Sequence, residues 1–464
     1  MLLSFMVGMR SASQASHAND WPQPVVSQGG TLLWPRLAIF FGLTVLAIST
    51  AGLLTGREPF ATWYYMYAWY SVLLAGDGWI AMRSAAGRGK RGEFLLLGRR
   101  WYFVSVLGWS SVTWFFYELL NFRLQNWYYI NLPHDLVLRW VMTAIAFATV
   151  FPAVFVSEAL LDSFGAFHKT RWPKLRVTPG FLKGMLIAGA IMMGLVMAWP
   201  RYFFALVWGA SMLMVEPTVY KRARDRSLLH DLERGEPGRL LRLLAGGALI
   251  GLLWESLNIK ARTKWIYTVP GLEELKLFEM PVLGFLGFPP FAVECFILWS
   301  ALVSAGVAVP RLGIIKEAST RRRAAVGVGA AVFCVVVLIG MELFTYTSRR
   351  PELTQLPDID ATSLNAAGFD VFRLAGTQPD RIAEIAGIDL DRAGEWVETA
   401  RLAALRGIGA ENVMLLRQLG INTVDQLAAT EPSYLITSLE KITGEDWVDA
   451  RVRVWIRGAR SVTR

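Results

Sequence analysis

Two stretches of this chain carry the same polar and aromatic pattern inside sequence that is otherwise strongly apolar. The first runs Glu118-x-x-Asn121, Trp127-Tyr128-Tyr129, Pro133, Phe151-Pro152 and Glu158. The second runs Glu255-x-x-Asn258, Trp265-Ile266-Tyr267, Pro270, Phe288-Pro289 and Glu294. The offset stays between 136 and 138 throughout, and Trp69-x7-Asp77 answers Trp208-x7-Glu216 at 139. A near-constant offset across such unlike residues is a tandem duplication. It constrains the fold strongly. The chain must build one unit, build it again, and place three carboxylates per copy in or beside apolar spans, where ionisable groups are costly and usually have a task.

The rest of the composition says where those units reside. Of 464 residues, 54% are hydrophobic and 18% charged, with a mean hydropathy of +0.38. That is a polytopic membrane protein rather than a soluble one. The 19 Trp residues agree, since Trp and Tyr favour the lipid–water interface. Apolar runs long enough to cross a bilayer fall at 32–54, 60–82, 101–122, 135–161, 180–199, 201–220, 239–259, 277–303 and 324–344, nine in all. Basic clusters follow every second span: Arg83 to Arg100, Lys169 to Arg176, Lys221 to Arg239 and Arg311 to Arg323. By the positive-inside rule these loops are cytoplasmic, as is the N-terminus, and the segment after the ninth span is periplasmic or extracellular. Net charge is +10, yet from Arg349 onward there are 14 basic and 17 acidic residues. The basic excess therefore belongs to membrane-flanking loops and anionic lipid, not to nucleic acid.

The expected organisation is a leader at 1–31, one repeat at 32–162, a second at 163–303, a basic loop and ninth span at 304–347, a linker at 348–366 and a small domain at 367–464. The fold class is all-α, a membrane helix bundle of two parallel four-span repeats plus a small helical domain. An even number of spans per repeat gives copies related by an axis along the membrane normal. Prolines 152, 217, 281, 289 and 290 lie in or beside spans and free backbone carbonyls that need partners, so span eight is expected to bend. Only Cys295 and Cys334 occur, with four scattered His, so no disulfide framework, metal site or haem pair is expected. No cofactor is evident, and no Walker A, nucleophile elbow, metalloprotease or dinucleotide motif occurs.

Three apart on a helix, Glu118 and Asn121 share a face, as do Glu255 and Asn258. The repeat puts them at the outer ends of their spans, with Trp127, Tyr129, Trp265 and Tyr267 in the loops that follow. Together with Glu279, present in the second copy only, these are the expected lining of a ligand cavity between the repeats. The competing reading is hydrogen bonding between helices across the pseudo-twofold, with the aromatics serving as an interfacial belt. Asp77, Glu158, Glu216 and Glu294 form a second acidic layer nearer the basic loops. Pairing with Arg or Lys is the simplest expectation there.

In the tail, Leu405-Arg406-Gly407-Ile408-Gly409-Ala410 leads into Val413-Met414-Leu415-Leu416, then Gly420-Ile421-Asn422-Thr423 caps a second helical run. A fainter copy pairs Leu374–Pro379 with Leu427–Pro432, and Trp396-x3-Ala400-Arg401 with Trp455-x3-Ala459-Arg460. This quarter of the chain resembles the helix-hairpin-helix family, in the tandem form found as a C-terminal domain of unknown function in bacterial proteins. The resemblance implies contact through Gly407, Ile408 and Gly409, and a bacterial inner-membrane setting. Many such domains bind DNA phosphates through these amides. Here Glu411 and the net negative charge favour a protein partner or self-association over nucleic acid.

The membrane part is faintly similar to membrane-embedded carotenoid cyclases and hydratases, through its duplicated order of acidic helix end, Trp-x-aromatic loop and Pro/Glu-bearing helix. It departs from them in lacking their Pro-x-Glu-Glu element and Gly-rich Tyr-x-Tyr loop, offering only Glu279-Met280-Pro281 and Trp-x-Tyr. The resemblance implies carboxylic acids that protonate a double bond beside aromatic faces that stabilise cations. Three functions follow as expectations: binding, with or without modification, of an isoprenoid-like or other lipid; assembly of a membrane complex through the C-terminal domain; and transport.

Overall fold

The computed structural model describes residues 32–88, 93–269, 275–312 and 318–463. The leader, Lys90 and Arg91, Pro270 and Lys316 lie outside the described residues. Repeat one supplies helices α1 (Leu33–Leu54), α2 (Phe60–Arg88), α3 (Arg100–Leu124), α4 (Leu136–Phe147) and α5 (Val150–Ser163). Repeat two supplies α6 (Pro179–Ala198), α7 (Val207–Arg222), α8 (Gly238–Asn258) and α9 (Phe288–Ser304), and α10 (Thr320–Phe344) follows. Among the described residues, eight helices are long and apolar enough to cross a membrane. Nine spans were expected. The one that falls short is α2, a helix of 29 residues diluted by Trp63, Tyr64, Tyr65, Tyr67, Trp69 and Tyr70. Three of these six rings face inward: Tyr64, Tyr65 and Trp69 are buried. On α1, by contrast, Phe40 and Phe41 are exposed, as befits a face that meets lipid rather than water.

Spans four and eight are each irregular, for different reasons. Span four breaks between α4 and α5, just before Pro152. The Ser110 hydroxyl enters the gap, donating to the Phe147 carbonyl at 2.7 Å and accepting the Phe151 N–H at 3.0 Å. A side chain inserted into the helix ladder is a standard origin of a kink. In span eight, Pro289 and Pro290 lie in the first turn of α9, where a missing N–H costs nothing, and a 3-10 segment, Val282–Gly287, precedes it. Helix α8 passes so close that a Cβ on Gly247 would stand 2.6 Å from the Phe288 carbonyl oxygen.

The fold is mostly helical, and the segments expected as outer loops add a small sheet. Strands β1 (Trp127–Leu132) and β2 (Lys264–Tyr267) pair antiparallel, and β5 (Thr347–Arg349) adds to β1 in parallel, giving the order β2-β1-β5. The short hairpin β3 (Lys276–Leu277) and β4 (Met280–Pro281) stands apart. Trp127 faces Tyr267, Tyr128 faces Ile266 and Tyr129 faces Trp265. A twofold through the Tyr128–Ile266 pair carries Trp127 onto Trp265 and Tyr129 onto Tyr267, which is the 138-residue offset of the sequence repeat. The strands therefore meet on the repeat's own axis.

Beyond β5 the chain forms a helical unit. Its core runs from Leu353 to Ala459, so packing begins inside the segment expected to be a linker. Trp396, Ile408, Leu416, Leu435 and Trp455 are buried there, on helices that include α11 (Leu390–Ala404), α12 (Gly409–Gln418) and α13 (Asp449–Val462).

Candidate functional site

The period of two along a strand sorts the repeated aromatics by face. Trp127 and Tyr129 of β1, with Trp265 and Tyr267 of β2, point toward the spans. Tyr128, Ile130 and Ile266 point the other way, into a cluster with Val454 of the C-terminal unit. One thin strand layer thus has a membrane side and a C-terminal side.

On the membrane side each Glu-x-x-Asn acts as a clamp on the strand that follows it. Glu118 Oε1 accepts the indole N–H of Trp114 and of Trp127, each at 2.9 Å, and the Tyr129 hydroxyl. Glu255 Oε1 accepts Tyr267 at 2.9 Å and Trp265 at 3.3 Å. The Asn residues hold backbone: Asn121 donates to the Trp127 carbonyl at 2.8 Å, and Asn258 to the Trp265 carbonyl at 2.9 Å. Asn121 also accepts the Asn126 N–H, and Asn258 the Trp265 N–H. All four side chains are at most 1% exposed. The bonds run within each repeat, not across the axis as the helix-gluing alternative expected. The second oxygens, Glu118 Oε2 and Glu255 Oε2, are buried with no hydrogen-bond partner among the described residues. Burial pushes the hydroxyls of Tyr129 and Tyr267 well above their ordinary pKa, and the neighbouring carboxylates add to this.

Between the repeats lies a cavity of about 130 Å³. Trp114, Trp127, Tyr129, Trp208, Trp254, Trp265 and Tyr267 form its aromatic wall. Of the expected lining residues, Trp127, Tyr129, Trp265 and Tyr267 are present. Glu118, Asn121, Glu255, Asn258 and Glu279 are not. The carboxylates stand behind the aromatic wall because their acceptor oxygens are turned to its indole and phenol donors. Trp63, Tyr65, Met66, Met142, Phe288 and Phe291 also line the cavity, and the sequence reading missed them. Trp63 carried a signal, as part of the aromatic run in α2; Met66 and Met142 carried none. The rim holds two cations already paired. Arg139 binds Glu342 at 2.8 Å, and Lys264 binds Glu279 at 2.7 Å. Burial lowers the Lys264 pKa, with Glu279 opposing the shift.

Glu279 is thus a bridge and no part of the cavity wall: its other oxygen takes Arg406 of the C-terminal unit at 3.1 Å. The acidic layer near the basic loops also differs from expectation. Asp77 accepts the backbone N–H groups of Leu95, Leu96 and Leu97, and Glu216 accepts Leu229 N–H and the Ser227 hydroxyl. These carboxylates hold the returning loop by its amides, which are nearer than any basic side chain. Glu294 accepts the Met212 N–H. Among the described residues, only Glu158 of the four is ion-paired, with Arg242 at 2.7 Å.

The C-terminal unit lies on the far side of the strands. Gly407 has φ +77, and a Cβ there would stand 3.0 Å from Ile130. Its carbonyl accepts the Tyr346 hydroxyl at 2.9 Å, and Asn412 donates to that same hydroxyl. Arg451 stacks on Tyr346 and Trp447. At the edge, Asp370 receives Arg262 and Arg350, which also share Glu58. The Gly407-Ile408-Gly409 turn, expected to meet a partner, here seats the unit on its own membrane part.

Residues 359–461 match the family described as Domain of unknown function (DUF4332). The C-terminal unit is that domain. Neither a curated protein nor a solved structure matches the chain, and nothing identifies the membrane part.

Proposed function

We propose that this membrane protein holds an isoprenoid-like lipid in the aromatic cavity between its two repeats. The observation that carries the reading is the wall itself: five Trp and two Tyr, recruited from both copies, around about 130 Å³. An apolar cavity near 150 Å³ accepts benzene, so this one takes a ring or an unsaturated end, not a whole polyene. Indole faces favour electron-poor and π-rich groups. Rim charges that are already paired favour a neutral head over an ionised one. Binding, rather than chemistry by Glu118 or Glu255, is what the geometry supports, since both carboxylates serve the wall from behind.

The test is mass spectrometry of lipids that co-purify with the detergent-extracted protein, comparing wild type, Trp254→Ala and Glu118→Gln/Glu255→Gln. A near-stoichiometric isoprenoid, lost in Trp254→Ala, is expected. Bulk phospholipid alone, identical in all three, sinks the reading.

The strands follow the C-terminal ends of α3 and α8, and basic loops precede both helices. We therefore assign the C-terminal domain to the side opposite the basic loops, outside the cytoplasm. Alkaline phosphatase fused after Arg464 should be active; fluorescence of a cytoplasm-dependent reporter fused there would reverse the assignment.

A further inference from the structure

A second hollow, about 520 Å³, opens between α1, α2 and α4. Its walls include Phe41, Val45, Tyr67, Leu74, Leu138 and Ile145, and none of its lining residues carries a charge. Phe41 and Leu138 are exposed on the outside of the bundle, on helices that belong to candidate membrane spans. Trp63, Met66 and Met142 belong to the walls of both hollows. The two spaces therefore meet at one aromatic and two thioether side chains. Trp63 sits at a local break in α2, with φ −102 and ψ 17. Methionine is unbranched and adapts its shape readily. One polar group of the groove, the Tyr70 hydroxyl, already donates to the Ile145 carbonyl at 2.8 Å.

We infer that the groove between α1, α2 and α4 is the lateral way in from the bilayer and the seat of the ligand's hydrocarbon tail, with Trp63, Met66 and Met142 as the gate. This rests on the aromatic cavity being the binding site, and it specifies the ligand: an amphiphile with a compact neutral or unsaturated end and a long unbranched or prenyl tail. Its compact end lies among the tryptophans; its tail leaves through the gate and lies in the groove. Continuity with the cavity selects a single chain, and the absence of charge selects hydrocarbon. Among the described residues, repeat two has no matching groove helix. Where α4 follows β1, the hairpin β3–β4 and a 3-10 segment follow β2. The way in is therefore single although the site is duplicated.

The experiment uses two photoprobes built on geranylgeraniol, one with a diazirine beside the hydroxyl and one with it at the far end of the tail. Full-length protein in nanodiscs is irradiated and the labelled residues are mapped by mass spectrometry, with and without excess unlabelled geranylgeraniol. The head-end probe is expected on Trp127 or Trp265, and the tail-end probe on Leu74, Leu138 or Ile145, both competed away. Met142→Trp, which fills the gate, is expected to cut both about tenfold, while Val141→Trp, on the exposed face of the same helix, leaves both intact and controls for folding. Competed labelling of the cavity by the head-end probe, with groove labelling that resists competition and ignores Met142→Trp, overturns the portal and leaves the cavity reading standing. No competed labelling at either place overturns both.

Discussion

The two copies of the Glu-x-x-Asn clamp share a plan and differ in how much of the carboxylate is used. Glu118 accepts three side-chain donors; Glu255 accepts two, one of them long. The difference traces to a single position. Trp114, the third donor, corresponds at an offset of 137 to Gly251, where the Phe288 ring fills the space. After the strand the copies part again. The first enters a helix capped by the Asp135 side chain, while the second makes a hairpin whose Glu279 reaches the C-terminal domain. Duplication thus kept the part that positions the strands and released the part that follows. Repeat one became the more saturated scaffold and repeat two the one wired to the C-terminal domain.

That contrast can be broken most sharply at the carboxylates. Glu118→Leu orphans three buried donors and Glu255→Leu two, at about 1–3 kcal/mol each. The first variant should lose more stability in a denaturant titration in detergent micelles; equal losses would mean that the Trp114 bond contributes nothing. Next comes the wiring. Glu279→Ala leaves Lys264 buried and unpaired and frees Arg406, a change costing about 3–5 kcal/mol for a buried pair. Limited proteolysis near 348–358 should accelerate in that variant and stay unchanged in Glu158→Ala, which breaks a pair far from the strands. Gly407→Val comes third, with a strained backbone and a contact on Ile130, for about 1–3 kcal/mol. It should loosen the C-terminal domain by hydrogen exchange without altering lipid content.

The smallest effect is in pH. Tyr129 and Tyr267 are held neutral above their ordinary pKa of 10 by burial. The folded state therefore binds more protons than the unfolded one above that value. Stability should fall as pH rises past 10, by up to about 1.4 kcal/mol per unit for each tyrosine. Tyr129→Phe and Tyr267→Phe should each flatten that slope. A slope unchanged in both would place the ionising groups elsewhere.

Much of this was readable in the chain. The duplication, the membrane-type spans and the separate helical C-terminal domain all rest on residue identity at fixed spacing, which a sequence displays directly. The strands were legible in principle. Trp-x-Tyr is an alternation of β-favouring residues, but four to six residues between long apolar helices read equally well as an interfacial loop. What decides between the two is the partner strand, which comes from the other repeat. The cavity wall was half visible, because Trp127 and Trp265 recur whereas Met66 and Met142 are ordinary span residues until the helices pack. Which way the carboxylates point was not visible at all. Glu118 on a buried helix face is compatible with lining a cavity or with standing behind it, and only the position of the Trp127 and Trp114 donors settles which.

The strand order β2-β1-β5 has a consequence for how the molecule is made. Its central strand is synthesised first, and neither neighbour exists until the ribosome has delivered most of repeat two and then the last span. Until then β1 carries open edges, held only by the Glu118 and Asn121 clamp of its own repeat. Domains tend to fold in the order they emerge, yet here the first half must wait for the second and the C-terminal domain for both. The sheet is therefore a checkpoint of assembly. A chain truncated before β5, or one whose second repeat inserts wrongly, would present an unpaired edge at the membrane surface, the kind of feature that quality control removes.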